Sequence, residues 1–249
     1  MRTWTIAIVA GMLAVSGAQM AQAAEITVLG GQGVVSGLRD LAGAFERATG
    51  HKVIVRQEND IPGKVNDSVP ADMVAVGPAS IDDYIATGRI VAGTRTDFAR
   101  AGVGVAVKAG ALKPDISTPD AYKRAILNAK SIAYSRGASG TITHKVMERL
   151  GIVDQIKDRT IRTENVPIAE IVARGEAEIG MHQINVILPI RGADYVGPLP
   201  PGLQEYVQFS LGVLAVSRQQ EVARAFAHFA SAPENEEILR KGGMEPWGR

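Results

Sequence analysis

The sequence predicts an α/β protein of two lobes, each a mainly parallel sheet flanked by helices. Three observations lead there. Strand-like apolar runs alternate with amphipathic helix-like runs along nearly the whole chain. Two strand–turn–helix units lie about one hundred residues apart, an arrangement that sets two lobes across one ligand. The composition, 46% hydrophobic and 5% aromatic over 249 residues, suits an ordinary α/β globule.

Residues 1–23 read as a secretory signal. Arg2 supplies a positive start, 6–15 is an apolar run, and Ala21-Gln22-Ala23 is a small-x-small cleavage site. The run, at about ten residues, is half of the roughly twenty that span a bilayer. A soluble periplasmic monomer is expected, with no membrane insertion after signal cleavage. Without residues 1–23 the basic and acidic side chains balance, so a nucleic-acid partner, which would call for a basic excess, is not expected. There is no cysteine, which excludes disulfides, a thiolate metal site and a cysteine nucleophile.

The first strand is Ile26-Thr27-Val28-Leu29, followed by a tight turn at Gly30-Gly31-Gln32-Gly33 and a helical stripe of Leu38, Leu41, Ala42 and Phe45. That helix stops at Thr49-Gly50. Residues 51–56 alternate as a strand and 57–63 form a polar loop. Residues 73–76 are a short buried strand, and a helix begins behind a cap at Ser80. Residues 103–107 are a strand. Thr118-Pro119-Asp120 opens a helix with a threonine cap and proline in its first turn. Residues 160–163 are a strand, Asn165-Val166-Pro167 starts a helix closed by Gly175, and 178–181 is a strand ending at His182-Gln183. Residues 206–216 form a long apolar stretch. Two helices finish the chain, the second running from Pro233 to Gly242-Gly243.

The central unit is 131–150. Residues 131–134 read as strand, 135–141 as a small-residue turn, and Ile142, Val146, Met147 and Leu150 as one helical face, with the helix starting at about Ser139 or Gly140. The first amides of such a helix lack intrahelical partners and share the positive end of its dipole, which makes an anion seat. Arg136 adds a fixed charge, and Ser139 and Thr141 add hydroxyl donors. Gly31, Gln32 and Gly33 form the corresponding seat after the first strand.

The chain resembles periplasmic solute-binding proteins of the type II class, in particular the molybdate-binding family. The carrying stretches are 37–46 with 49–53 behind them, Pro70-Ala71-Asp72-Met73-Val74-Ala75, Ala138-Ser139-Gly140, 178–182 and 238–244. The resemblance implies a type II fold with two crossing strands as hinge, placed near 103–107 and 209–216. One lobe would then hold 24–105 plus 212–249 and the other 106–211. It also implies capture of a small anionic ligand between the lobes and delivery to a membrane ABC permease.

Departures from that family set the ligand expectation. Molybdate-binding members place serine where this chain has Gly33, a serine-containing turn where it has Gln57-Glu58-Asn59, and tyrosine where it has His182. Gly, Gln and Asn widen the pocket, and Arg56 and Arg136 offer planar forks matched to carboxylates. An organic di- or tricarboxylate is therefore expected in preference to molybdate or tungstate. The expected ligand contacts are Gly31, Gln32, Gly33, Arg56, Asn59, Arg136, Ser139, Gly140, Thr141, His182 and Gln183. No cofactor is expected, and no metal, because no histidine pair has ligand spacing. The glycine run also resembles a dinucleotide fingerprint, but Ser36 takes its last glycine position. No Gly-x-Ser-x-Gly elbow supports serine hydrolase chemistry. The sequence leaves open whether chemistry occurs. Periplasmic aconitate isomerase resembles this same branch, and moving a proton on a bound tricarboxylate would need a base, for which His182 and Glu58 are the candidates.

Overall fold

The computed structural model describes residues 23–164 and 166–248. The signal reading rests on residues outside the described ones, as does Asn165 at the start of its helix.

The chain runs β1 (Glu25–Gly30), α1 (Gln32–Thr49), β2 (Lys52–Gln57), α2 (Ile61–Asn66), β3 (Met73–Val76), α3 (Pro78–Ala86) and the long β4 (Thr96–Lys108). It continues with α4 (Pro119–Asn128), β5 (Ile132–Ser135), α5 (Ala138–Arg149), α6 (Val153–Ile156), β6 (Thr160–Thr163), α7 (Ile168–Ala173), β7 (Ile179–Gln183), α8 (Ile184–Ile187) and β8 (Ala193–Pro198). It closes with β9 (Tyr206–Val213), α9 (Gln220–Ser231), α10 (Glu236–Lys241) and β10 (Glu245–Pro246).

The strands follow one curled path, β2-β1-β3-β9-β4-β7-β5-β6, with β8 and β10 also pairing β4. β4 joins the two halves. Its first part, from Thr96 to Gly102, pairs antiparallel with β9, and its second, from Val103 to Val107, pairs antiparallel with β7. The βα units supply the parallel pairs, β1 with β2 and β3, and β5 with β6 and β7. Each half has its own core. Val28, Leu38, Phe45, Met73, Leu211 and Phe226 meet in the first, and Val105, Tyr122, Ile132, Val146, Met147 and Met181 in the second.

Local chemistry explains the main elements. α1 buries the stripe Val34, Leu38, Leu41 and Phe45, and Gly50 ends it at φ 77, in a left-handed conformation that glycine adopts without strain. Phe45 meets Phe226 and Phe229 edge-on, which ties α1 to α9. α4 starts as its Thr118-Pro119 signature requires, the threonine hydroxyl accepting from Ala121 N.

Four readings of the sequence are corrected. Gln32 and Gly33 lie in the first turn of α1 rather than in a preceding turn, because Gly31 already has the extended backbone of a cap. α3 begins at Pro78 behind Gly77, so Ser80 is inside the helix. The polar loop after β2 contains α2, capped by Asp60. The fourth concerns the second crossing. β9 pairs with β3 and the first part of β4, so 206–211 belong with the first half and the chain crosses back within 199–205. An apolar run reads the same whether it crosses a hinge or lies central in a covered sheet.

Candidate functional site

A cleft of about 450 Å³ opens between the two halves, in the range typical of small-molecule sites. Its walls begin with three helix starts. α1, α3 and α5 are capped by Gly31, Gly77 and Gly137, all three of which line the cleft. None of the three has a side-chain cap or an acidic residue in its first turn. Asp60 and Thr118 do cap α2 and α4 with their side chains, while α6 to α10 also start without a side-chain cap. Three positive dipole ends thus converge on one space, whose lining also holds the carboxylates of Glu58 and Glu164.

β5 and α5 build the second-half wall. Ser135 and Ser139 are both buried, with hydroxyls 3.2 Å apart. Arg136 is exposed between them and is the one cation among the described residues that line the cleft. Its backbone N–H donates to Thr163 O at 2.8 Å, which fixes the turn. β7 ends in the floor with His182 and Gln183, each only 4% exposed. His182 Nδ1 and Gln183 Oε1 are buried without a hydrogen-bond partner among the described residues. Burial lowers the imidazole pKa to about 4, so His182 is neutral at neutral pH. Asn185, in α8, donates from Nδ2 to Gly33 O at 2.9 Å and so ties the second half to the first turn of α1.

The structure thus brings Gly31, Gln32, Gly33, Asn59, Arg136, Ser139, His182 and Gln183 to one cleft, together with Glu58. Arg56, Gly140 and Thr141 do not line it. Arg56 ends on Glu58, Nη2 to Oε1 at 2.8 Å. Gly140 is a packing residue, since a Cβ there would collide with the Ser135 carbonyl and sit 3.0 Å from Ser135 Oγ. Thr141 is exposed and its hydroxyl turns back to Gly137 O at 3.3 Å. Sequence reasoning missed Gly77, Glu164 and the β9 wall of Val207, Gln208 and Phe209. Gly77-Pro78 carried a readable signal, a glycine before proline at a helix start. The β9 wall had none, because its place depends on a strand pairing distant in sequence. No group of three acidic, histidine or cysteine side chains among the described residues could hold a metal.

Over residues 26–245 the chain matches the profile of the family described as bacterial extracellular solute-binding protein. The chain belongs to that family. Among curated members similar to this solute-binding protein is an aconitate isomerase from Pseudomonas sp, 31% identical over 231 residues, covering 89% of this chain and 87% of that protein. Another is the molybdate-binding protein of Azotobacter vinelandii, 25% identical over 254 residues, covering 96% and 95%. Among solved structures, the Azotobacter vinelandii periplasmic molybdate-binding protein superposes with a TM-score of 0.74 at 19% identity, covering 88% of this chain and 98% of that one. The substrate-binding domain of a molybdenum ABC transporter from Clostridium difficile does so at 0.72 and 14% identity, covering 90% and 99%. These likenesses agree with the mixed α/β architecture of this solute-binding protein. No helix among its described residues is long and apolar enough to cross a membrane.

Proposed function

We propose that this protein is a periplasmic receptor that closes its two halves on a small organic polycarboxylate and presents it to a membrane ABC permease. The observation that carries the reading is the convergence of three glycine-capped helix starts and Arg136 on one cleft. A desolvated carboxylate is costly unless its oxygens are hydrogen-bonded, and helix-start amides, Ser135, Ser139 and an arginine fork supply those donors. A cleft of about 450 Å³ with amide side chains at Gln32, Asn59, Gln183 and Gln208 suits a branched organic anion better than a compact tetrahedral oxyanion. Closure follows from the build: two halves joined at β4 and at 199–205 shift toward the closed form when a ligand touches both.

A thermal-shift panel of molybdate, tungstate, sulfate, citrate and both aconitates tests the proposal. At one hundred times its dissociation constant a ligand adds roughly 2.7 kcal/mol. That is a rise of roughly 5–10 °C at about 2–4 °C per kcal/mol. Citrate or an aconitate should give it, and stabilisation by molybdate alone overturns the reading.

A second reading, isomerisation of a bound unsaturated tricarboxylate, is favoured by His182. Its imidazole is buried, neutral and without a partner at the cleft floor, and the similar Pseudomonas protein is an aconitate isomerase. In such a step one proton leaves an allylic carbon to a base, the double bond shifts, and a proton returns two carbons away. Proton NMR of the protein incubated with trans-aconitate decides between the readings. Conversion to the cis isomer makes the protein an enzyme, and an unchanged spectrum with ligand bound leaves it a receptor.

A further inference from the structure

We propose that Gln183 is the specificity-determining residue of this cleft, reading a third carboxylate on the ligand, and that position 33 is glycine to make room for it. The proposal rests on the polycarboxylate reading and deepens it from polycarboxylate to tricarboxylate.

Gln183 belongs to the second half, yet its side chain crosses the cleft floor to the first turn of α1. A Cβ built on Gly33 would stand 2.7 Å from Gln183 Nε2 and 2.8 Å from its Cδ, closer than real carbon contacts come. The amide therefore occupies the place of a side chain at position 33. Two residues on, Asn185 donates to the Gly33 carbonyl at 2.9 Å, so the same peptide is held from a second direction. Gln183 thus lies against a floor peptide that Asn185 holds.

It is also uncommitted. Gln183 Oε1 is buried without a partner, and no hydrogen bond among the described residues uses either end of the amide. Its NH2 is thus an unused donor suited to an acceptor-only carboxylate, while the buried Oε1, itself an acceptor, takes no part in that contact. The ends of a bridging anion fall to the helix starts of the two halves, with Arg136 on the second. A group branching between those ends meets the floor, where the Gln183 NH2 can donate to it. A site built to hydrogen-bond a group discriminates strongly against the analogue that lacks it, because the protein partner is then left unpaired.

Tricarballylate and glutarate share a five-carbon chain and differ by the central carboxylate, so their affinity ratio isolates the third group. Calorimetric titration of the full protein should show tricarballylate preferred by about tenfold or more, Gln183 supplying most of the difference. In Gln183→Ala and Gln183→Leu the ratio should fall at least about fivefold, with glutarate affinity moving less than about twofold. Gly33→Ala should produce the same fall by displacing the amide. In the Gln183→Ala background it should add nothing, since the pair acts as one unit. Unliganded melts of all variants report folding, and the two Gln183 variants decide the matter if Gly33→Ala melts low. A parent ratio near one, a ratio that survives in Gln183→Ala and Gln183→Leu, or full additivity with Gly33→Ala overturns the proposal and leaves the polycarboxylate reading standing. Failure of the parent to bind either acid overturns both.

Discussion

Arg56 and Glu58 meet at 2.8 Å on the rim of the cleft, Arg56 half-exposed and the Glu58 side chain only 16% exposed. Arg56 lies in β2 and Glu58 just past its end, and the arginine that the sequence offers as a ligand fork serves first as the counter-ion of a cleft carboxylate. Their pairing makes the pair near-neutral toward an incoming anion.

Glu58→Gln should therefore release Arg56 and remove a like charge from the path of a polyanion. Exposed pairs of this kind are worth up to about 1 kcal/mol, so the affinity gain should be about two- to fivefold, read by calorimetry. If the protein is an isomerase using Glu58 as base, the same variant binds more tightly and turns over no trans-aconitate. A loss of affinity would mean that Glu58 itself contacts the ligand favourably.

Arg136→Ala should abolish ligand stabilisation and leave the unliganded melt almost unchanged. The side chain is exposed and buries no core surface, and such substitutions stay within about 0.5 kcal/mol. Removing a charged partner from a desolvated carboxylate costs roughly 2–5 kcal/mol of binding. Arg136→Lys should recover only part of it, because a point charge cannot make the two-pronged contact. Parent-like binding by Arg136→Ala would remove this arginine from the site.

His182 makes the unliganded fold sensitive to acid. Its pKa is lowered by burial from 6.5 to about 4, so below pH 6.5 the unfolded chain takes up a proton that the folded chain refuses. Folding stability should be unaffected by this group above pH 6.5. It should fall progressively as pH drops to about 4, by about 3 kcal/mol in all. His182→Gln should lose that component of the slope, measured as melting temperature against pH for both proteins. Parallel curves for parent and variant would place the imidazole in contact with water.

Gly140→Ala and Thr141→Ala should separate packing from binding at the start of α5. A Cβ at 140 collides with the Ser135 backbone, so the strand or the helix must move, and overpacking of this kind typically costs about 1–3 kcal/mol or more. A fall in melting temperature of at least about 2 °C is expected. Thr141→Ala, which gives up a hydroxyl bond to Gly137 O, should leave ligand affinity within about twofold. Loss of binding in Thr141→Ala with an unchanged melt would return its hydroxyl to the site.

Much of the site was legible because it is built from local signals. A glycine-rich turn between a strand and an amphipathic stripe announces a helix start, and Gly31, Gln32, Gly33, Arg136 and Ser139 were reachable that way. The strand end at His182-Gln183 was reachable from the apolar run before it. Gly140 and Thr141 misled because a helix start faces three ways. The same short run carries one residue toward the ligand, one into the strand behind it and one to solvent, and only the helix phase tells them apart. Arg56 misled because a charge two residues from an opposite charge has a partner nearer than any ligand.

The sequence by itself determined the alternation of strands and helices, the periodic faces of α1 and α5, and the glycine-rich turns that precede them. These depend on residues within a turn or two of one another, and local backbone preference decides them. Only the tertiary structure decided that β9 lies with the first half, that β4 serves both, and that Gln183 occupies the space above Gly33. Each of those pairs residues far apart along the chain: Thr96 with Leu211, Val103 with Gln183, and Gly33 with Gln183. Such pairs form because burying two apolar faces and satisfying their backbone groups favours one closed arrangement, and no short window of sequence contains that comparison.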